Sequence, residues 1–174
     1  MAAIQACPLP SDALLCRYLR GKAYADCYFT EVPGQVSHAE YIEAFYTTAV
    51  FKLERQILSW FVSKPSNDAQ VRELAHGTRD AFAAWSVEAR ATDQLLLCDF
   101  QGRTRSWLKT EPSASGGTRL YFGSAVVPVA DARSGDEKLG FVFSALLGFH
   151  KLYSRILLRA AVARLSRRRP TGFA

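Results

Sequence analysis

Apolar residues recur at three- and four-residue steps between Leu139 and Arg164, and this pattern constrains the fold more than any other part of the chain. Such spacing places them on one side of a helix with 3.6 residues per turn. A helix of this length with one apolar face needs another element to cover that face. The positions on the face are Phe143, Leu146, Leu147, His150, Tyr153, Ile156, Leu157, Ala160 and Ala161.

The cover for this helix is expected from the block before it, where the periodicity changes from 3.6 to 2. In residues 85–90 apolar and polar side chains alternate, as in a half-buried strand. Residues 95–100, 103–110 and 118–127 have the composition of three further strands. Gln101-Gly102 fits a tight hairpin turn between the first two of these. Four consecutive strands predict an antiparallel meander.

The first part of the chain is predicted to hold one strand and three helices. Ser37 and Glu40 have the spacing of a capping box, which marks the start of the longest of these helices. That helix is expected to run to about Ser63, before a Lys-Pro pair. The other predicted elements are a short helix near 13–19, a strand over 23–32 and a helix over 68–76.

This order of elements predicts an α+β fold, in which an antiparallel β-meander packs against a long C-terminal helix. The arrangement is helix-grip-like with a reduced count of five strands. A chain of 174 residues is the size of one domain, so 1–174 is treated as a single α+β domain. Residues 1–10 and 167–174 are expected to be flexible.

The order strand, helices, four strands, helix resembles that of the START and Bet v 1-like superfamily, whose curved sheet wraps one long C-terminal helix. Those domains usually show seven strands, so five strands imply a partial grip and a small cavity. The chain also resembles a group of uncharacterised bacterial proteins that are domains of unknown function, which implies a fold more than an activity. The second resemblance is carried by WSV at 85–87, QGRTRSWL at 101–108, LYFGSAVVP at 120–128 and FHKLYSR at 149–155.

The net charge of +6 belongs to the C-terminus. Seven of the 22 Lys and Arg lie after residue 150, whereas all 16 Asp and Glu precede residue 138, so residues 1–150 have a net charge of −1. Lys151, Arg155 and Arg159 follow at four-residue steps and form a basic stripe on the last helix. The stripe, which Arg167-Arg168-Arg169 follows, is either a solvated outer face or a contact for phosphates or an anionic membrane surface. Because no aromatic residues are interleaved with it, no specific nucleic-acid binding is expected.

The remaining composition predicts a cytoplasmic protein without a metal or other cofactor. The four cysteines form no CxxC pair and have no zinc-site spacing. The N-terminus lacks the basic and apolar regions of a signal peptide, and the longest apolar run, 139–149, is too short to span a bilayer.

A candidate ligand pocket depends on which face of the 95–110 hairpin points toward the last helix. A two-residue turn pairs Phe100 with Arg103, Cys98 with Arg105 and Leu96 with Trp107, all on one face. If that face is inward, two arginines and a tryptophan line a pocket suited to a carboxylate or phosphate on an apolar ligand.

If the other face is inward, Arg103 and Arg105 are in solvent and Leu95, Leu97 and Leu108 form the core. Unpaired buried arginines would be costly, which favours this alternative. His150 similarly has two interpretations, because it either contacts a ligand or is a core histidine bonded to a backbone carbonyl or a carboxylate.

Three functions follow from these patterns. The first is a non-enzymatic module that binds a small apolar or acidic, lipid-like ligand between the sheet and the C-terminal helix. The alternative is an interaction protein whose basic C-terminal helix docks on an anionic membrane surface or an acidic partner. A third is an enzyme that uses His150. The predicted ligand-binding residues are Trp85, Arg103, Arg105, Trp107, Tyr121, His150 and Tyr153.

Overall fold

The computed structural model describes residues 3–20, 23–52, 67–127 and 138–168, with the side chains of the last helix described from residue 152 onward. The strands are β1 (Gln5–Ala6), β2 (Tyr24–Val32), β3 (Ala81–Phe82), β4 (Trp85–Ala91), β5 (Gln94–Asp99), β6 (Thr104–Pro112) and β7 (Thr118–Val126). The helices are α1 (His38–Tyr46), α2 (Asp68–Ala75) and α3 (Lys138–Arg168), and a 3₁₀ helix covers Leu14–Tyr18.

All seven strands form one antiparallel sheet in the order β1-β2-β7-β6-β5-β4-β3. Strands β3 to β7 are a meander, and β2 adds to its far edge by pairing with β7 over nine residues. The predicted α+β class, a meander with a C-terminal helix, is confirmed. The strand count is higher than predicted because β1 and β3 have two residues each, which is too short to show an alternation in sequence.

The predicted register of the β5–β6 hairpin is confirmed. Cys98 lies opposite Arg105, and Leu96 lies opposite Trp107. The turn between the strands includes Gly102 at φ 69°, a conformation that L side chains rarely adopt. Turn chemistry therefore sets this register, as the Gln-Gly pair predicted.

Helix α1 begins at the predicted capping box but ends earlier than predicted. The Ser37 hydroxyl accepts a hydrogen bond from the Glu40 backbone N–H, and the Glu40 carboxylate accepts one from the Ser37 N–H. The helix ends at Tyr46, and a new helical segment starts at residue 49. Thr48 caps this segment, because its hydroxyl accepts from the Phe51 N–H at 3.2 Å. The prediction of one continuous helix is therefore wrong at this break, and its predicted end lies outside the described residues.

Both faces of the sheet are buried. The face toward the helices carries Leu95, Leu97 and Leu108, so the second of the two hairpin alternatives is the one found. The opposite face carries Leu96 and Trp107 and is covered by the N-terminal segment, residues 3–20, which begins in the part expected to be flexible. The main core between the sheet and the helices also contains Tyr41, Ile42, Phe45, Phe122, Leu157 and Leu158.

Helix α3 has the predicted length, but its buried face is rotated relative to the prediction. Leu157 and Ala161 are buried as expected, whereas Ile156, which was also predicted on the buried face, is 41% exposed. Leu158, which the prediction omitted, is fully buried. No helix in the described part of the chain combines the length and apolarity that crossing a bilayer requires.

Candidate functional site

A cavity of about 140 Å³ lies between the sheet and helix α3, where the sequence predicted a pocket. Strands β4, β6 and β7 form one wall, and α3 forms another. The region that follows α1 contributes Phe51. The lining residues are Phe45, Phe51, Trp85, Thr104, Arg105, Ser106, Phe122, Ser124, Tyr153, Ser154 and Leu157.

The described lining is apolar with a few hydroxyl groups. Its rings and aliphatic side chains come from both the sheet and the helices. The Ser106 hydroxyl is bonded to the Tyr46 hydroxyl at 2.8 Å, and the Ser124 hydroxyl donates to the Asp26 carboxylate. The described lining therefore offers apolar contact and hydrogen bonding.

Trp85 lines the cavity and carries a buried indole nitrogen without a hydrogen-bond partner in the described part of the chain. It is the first residue of β4, and its ring packs against the main core. The indole Nε1–H is buried and has no hydrogen-bond acceptor within the described structure. A buried donor without a partner costs about 1–3 kcal/mol, which a bound acceptor would recover.

Arg105 borders the cavity, but its guanidinium group is already bonded on the outer face of the sheet. Nε donates to the Tyr18 hydroxyl at 2.7 Å and to Glu88 Oε2 at 2.6 Å. Burial lowers the pKa of Arg105, but these two bonds outweigh it, so the pKa is raised overall. The side chain is 11% exposed. Arg105 is therefore neither solvated, as one alternative predicted, nor available to an acidic ligand.

Three other predicted site residues lie away from the cavity. Trp107 is fully buried on the outer face, where its indole donates to Gln94 Oε1 at 2.9 Å. Tyr121 lies on the same face, and burial together with a bond to Glu111 raises its pKa to about 12. Arg103 is exposed.

Of the two predicted site residues on α3, the structure brings Tyr153 to the cavity beside Trp85. The side chain of His150 lies outside the described residues, so its predicted role stays a prediction. Ser106 and Phe122 line the cavity but were missed. Alternation along β6 would have found Ser106, because it shares a face with Leu108, once that face was known to be inward.

The described residues contain no group of three or more His, Cys, Asp or Glu placed to hold a metal ion. No protein-family model, curated protein or solved structure matches the chain.

Proposed function

We propose that this protein binds a small, mostly apolar molecule between the sheet and helix α3. The observation that carries the proposal is the mostly apolar cavity whose lining includes Trp85, a residue with a buried indole N–H that has no partner among the described residues. Buried polar groups in proteins are nearly always hydrogen-bonded, so an orphan donor in a cavity indicates a missing acceptor. The resemblance to helix-grip domains belongs to the same proposal, because that plan places a cavity between sheet and helix.

The cavity favours a neutral ligand with a hydrogen-bond acceptor. A cavity of roughly 150 Å³ accommodates a molecule the size of benzene, so the described space of about 140 Å³ suits one ring or the end of a longer apolar chain. The acidic group expected from the arginines loses its basis, because Arg105 is paired with Glu88 and Arg103 is exposed. A carbonyl or ether oxygen would meet the Trp85 N–H.

Calorimetric titration with acetophenone, ethylbenzene and benzoate tests this proposal. Acetophenone should bind about fivefold tighter than ethylbenzene, because its carbonyl accepts from Trp85 and such a bond contributes about 1 kcal/mol. Benzoate should bind more weakly than either. The variant Trp85→Phe keeps an aromatic ring but removes the donor, so the two neutral compounds should then bind equally.

Two further variants make the test specific. Thr104→Phe places a ring in the cavity and should abolish binding of both neutral compounds. Trp107→Phe removes the buried indole on the outer face and should leave the preference for acetophenone unchanged. Absence of binding to the unmodified protein, or unchanged binding in Thr104→Phe, would contradict the proposal.

A second candidate function is docking on an anionic membrane through the outer face of α3. Leu152 and Ile156 are exposed one turn apart, and the exposed Arg155 and Arg159 lie between and beside them. The helix contains no acidic residue. Exposed apolar side chains interleaved with arginines are typical of a helix that lies in the membrane interface, whereas an acidic protein surface would need only the arginines.

Vesicle sedimentation tests this second candidate. The protein should bind vesicles of phosphatidylserine and phosphatidylcholine at low salt, and binding should weaken as salt screens the charges. Arg155→Gln with Arg159→Gln should weaken it roughly 10- to 30-fold, because each arginine contributes about 1 kcal/mol. Arg72→Gln with Arg103→Gln removes two exposed arginines elsewhere and is the control. Equal losses of vesicle binding in both double variants would contradict docking through the outer face of α3.

A further inference from the structure

A second cleft, of about 370 Å³, lies on the other flank of α3, near its C-terminal end. Thr48, Ala49 and Val50 line one side of it. Helix α3 lines the other side with Ala160, Ala163, Arg164, Arg167 and Arg168. The volume falls within the range of ligand pockets, roughly 300–1,000 Å³.

The charged side chains that line this cleft are all positive among the residues that the structure describes. Three of the eight lining residues are arginines and none is acidic. The nearby Glu43 pairs with Arg168 at 3.2 Å, at the edge of the cleft. Arg164 and Arg167 have no carboxylate partner within the described part of the chain. Positive charge is therefore concentrated here beyond what the described fold neutralises.

Arg164 gives the clearest indication of a ligand. Its Nε is buried, although the residue as a whole is only partly buried, and no acceptor bonds to it among the described residues. A buried donor on a charged group is costly to leave unpaired. Ala160 and Ala163, with their small side chains, leave the space beside it open. Because Arg164 lines the cleft, an anion bound there would lie beside its guanidinium group.

We propose that this cleft binds the phosphate group of a small molecule or lipid. Arg164 and Arg167 lie three residues apart on one flank of the helix, and Arg168 follows. A guanidinium group matches the oxygens of a phosphate in two parallel hydrogen bonds. Two cations without a described carboxylate partner, Arg164 and Arg167, suit a doubly charged oxyanion better than a single carboxylate. The site is separate from the cavity at Trp85, because no described residue lines both.

Calorimetry of the full chain with inorganic phosphate and with glycerol 3-phosphate, at constant ionic strength, tests this proposal. Arg164→Gln should weaken binding at least about tenfold, because it removes charged hydrogen bonds. Arg72→Gln removes an exposed arginine of α2 that does not line the cleft, and it should change binding less than about twofold.

A second variant keeps the test independent of any effect of Arg164 on folding. Ala163 is exposed and lines the cleft, so Ala163→Glu places a carboxylate at the site without disturbing the core. It should weaken phosphate binding as much as Arg164→Gln does. Thermal unfolding of both variants would show that they remain folded.

Vesicles that contain phosphatidic acid distinguish the source of the phosphate. If the soluble phosphates bind and both variants lose that binding, the ligand is a free phosphate compound. If only the vesicles bind and both variants lose that binding, the ligand is a lipid headgroup. Binding that survives in both variants, or that Arg72→Gln reduces equally, overturns the proposal, as does absence of binding in both formats.

Discussion

At the scale of single residues, His38 is the group that links stability most directly to pH. Burial lowers the pKa of its imidazole to about 4, against the opposing effects of a hydrogen bond with the Leu108 backbone and the charge of Asp93. An unfolded histidine has a pKa of about 6.5, so between these values the unfolded chain binds a proton that the folded protein does not. Stability from this group is therefore complete above about pH 6.5 and is lost as the pH falls toward 4.

We expect His38→Gln to flatten this dependence. In the unmodified protein His38 should lower the free energy of unfolding on the order of 3 kcal/mol between pH 7 and pH 4. Urea denaturation at both pH values would show a smaller loss in His38→Gln. The control is His76→Gln, which removes the exposed histidine at the end of α2. A loss as large in His38→Gln as in the unmodified protein would show that other groups account for it.

The sequence predicted the strand register of the hairpin more reliably than the hydrogen-bond partners of its side chains. Cys98 was correctly placed opposite Arg105, because register follows from the turn. The alternation over 85–90 marks Glu88 only as polar, and it does not show that Glu88 is bonded to Arg105 and to Tyr18. A register shift in β4 between Val87 and Ala89 leaves Glu88 out of the strand pairing. Its partner Tyr18 lies in the N-terminal segment, far from β4 in the sequence. Neither feature leaves a local pattern in sequence.

At the scale of secondary structure, α3 shows how far periodicity alone predicts burial. Its length and position were predicted, and the buried face was correct at Leu157 and Ala161 but not at Ile156. Nearly every side of this segment carries apolar residues, so the spacing defined a helix without defining its rotation. The break after α1 was missed for a related reason, because the apolar spacing continues through it while Thr48 caps a new segment.

Alanine substitutions on α3 test the rotation found in the structure. Leu158 is fully buried in the main core, so Leu158→Ala should lower the free energy of unfolding by roughly 2–5 kcal/mol. Ile156 is 41% exposed, so Ile156→Ala should cost less than about 1 kcal/mol. Urea denaturation of both variants measures the difference. Equal costs, or a larger cost at Ile156, would mean that the helix is turned the other way.

At the scale of the whole molecule, the N-terminal segment makes the sheet buried on both faces. Gln94 bonds the N-terminal segment to the outer face of the sheet. Its Oε1 accepts from the Leu14 backbone N–H and from the Trp107 indole, each at 2.9 Å, and its Nε2 donates to the Asp12 carbonyl at 3.1 Å. Sequence could not predict this cover, because these contacts join residues about 80 positions apart and the segment has little periodicity of its own.

Replacing Gln94 should therefore destabilise the whole protein. Gln94→Leu keeps a similar volume but removes three hydrogen bonds, and it leaves the fully buried Trp107 indole without a partner, so we expect a loss of about 2–3 kcal/mol in the free energy of unfolding. Hydrogen exchange at the Leu14 amide should also become faster as the segment loosens. Gln101→Leu, at an exposed turn position, is the control. Slow exchange at Leu14 in the Gln94 variant would show that other contacts hold the segment.

The pairing of β2 with β7 also orders events during protein synthesis. Strand β2 is complete at Val32, but its partner ends at Val126. At a translation rate of about 5–20 residues per second, β2 waits roughly 5–20 s for that partner. The meander β3–β7 needs only neighbouring strands, so it is the part of the sheet that can assemble first on the ribosome. The N-terminal residues are thus synthesised first and join the sheet last.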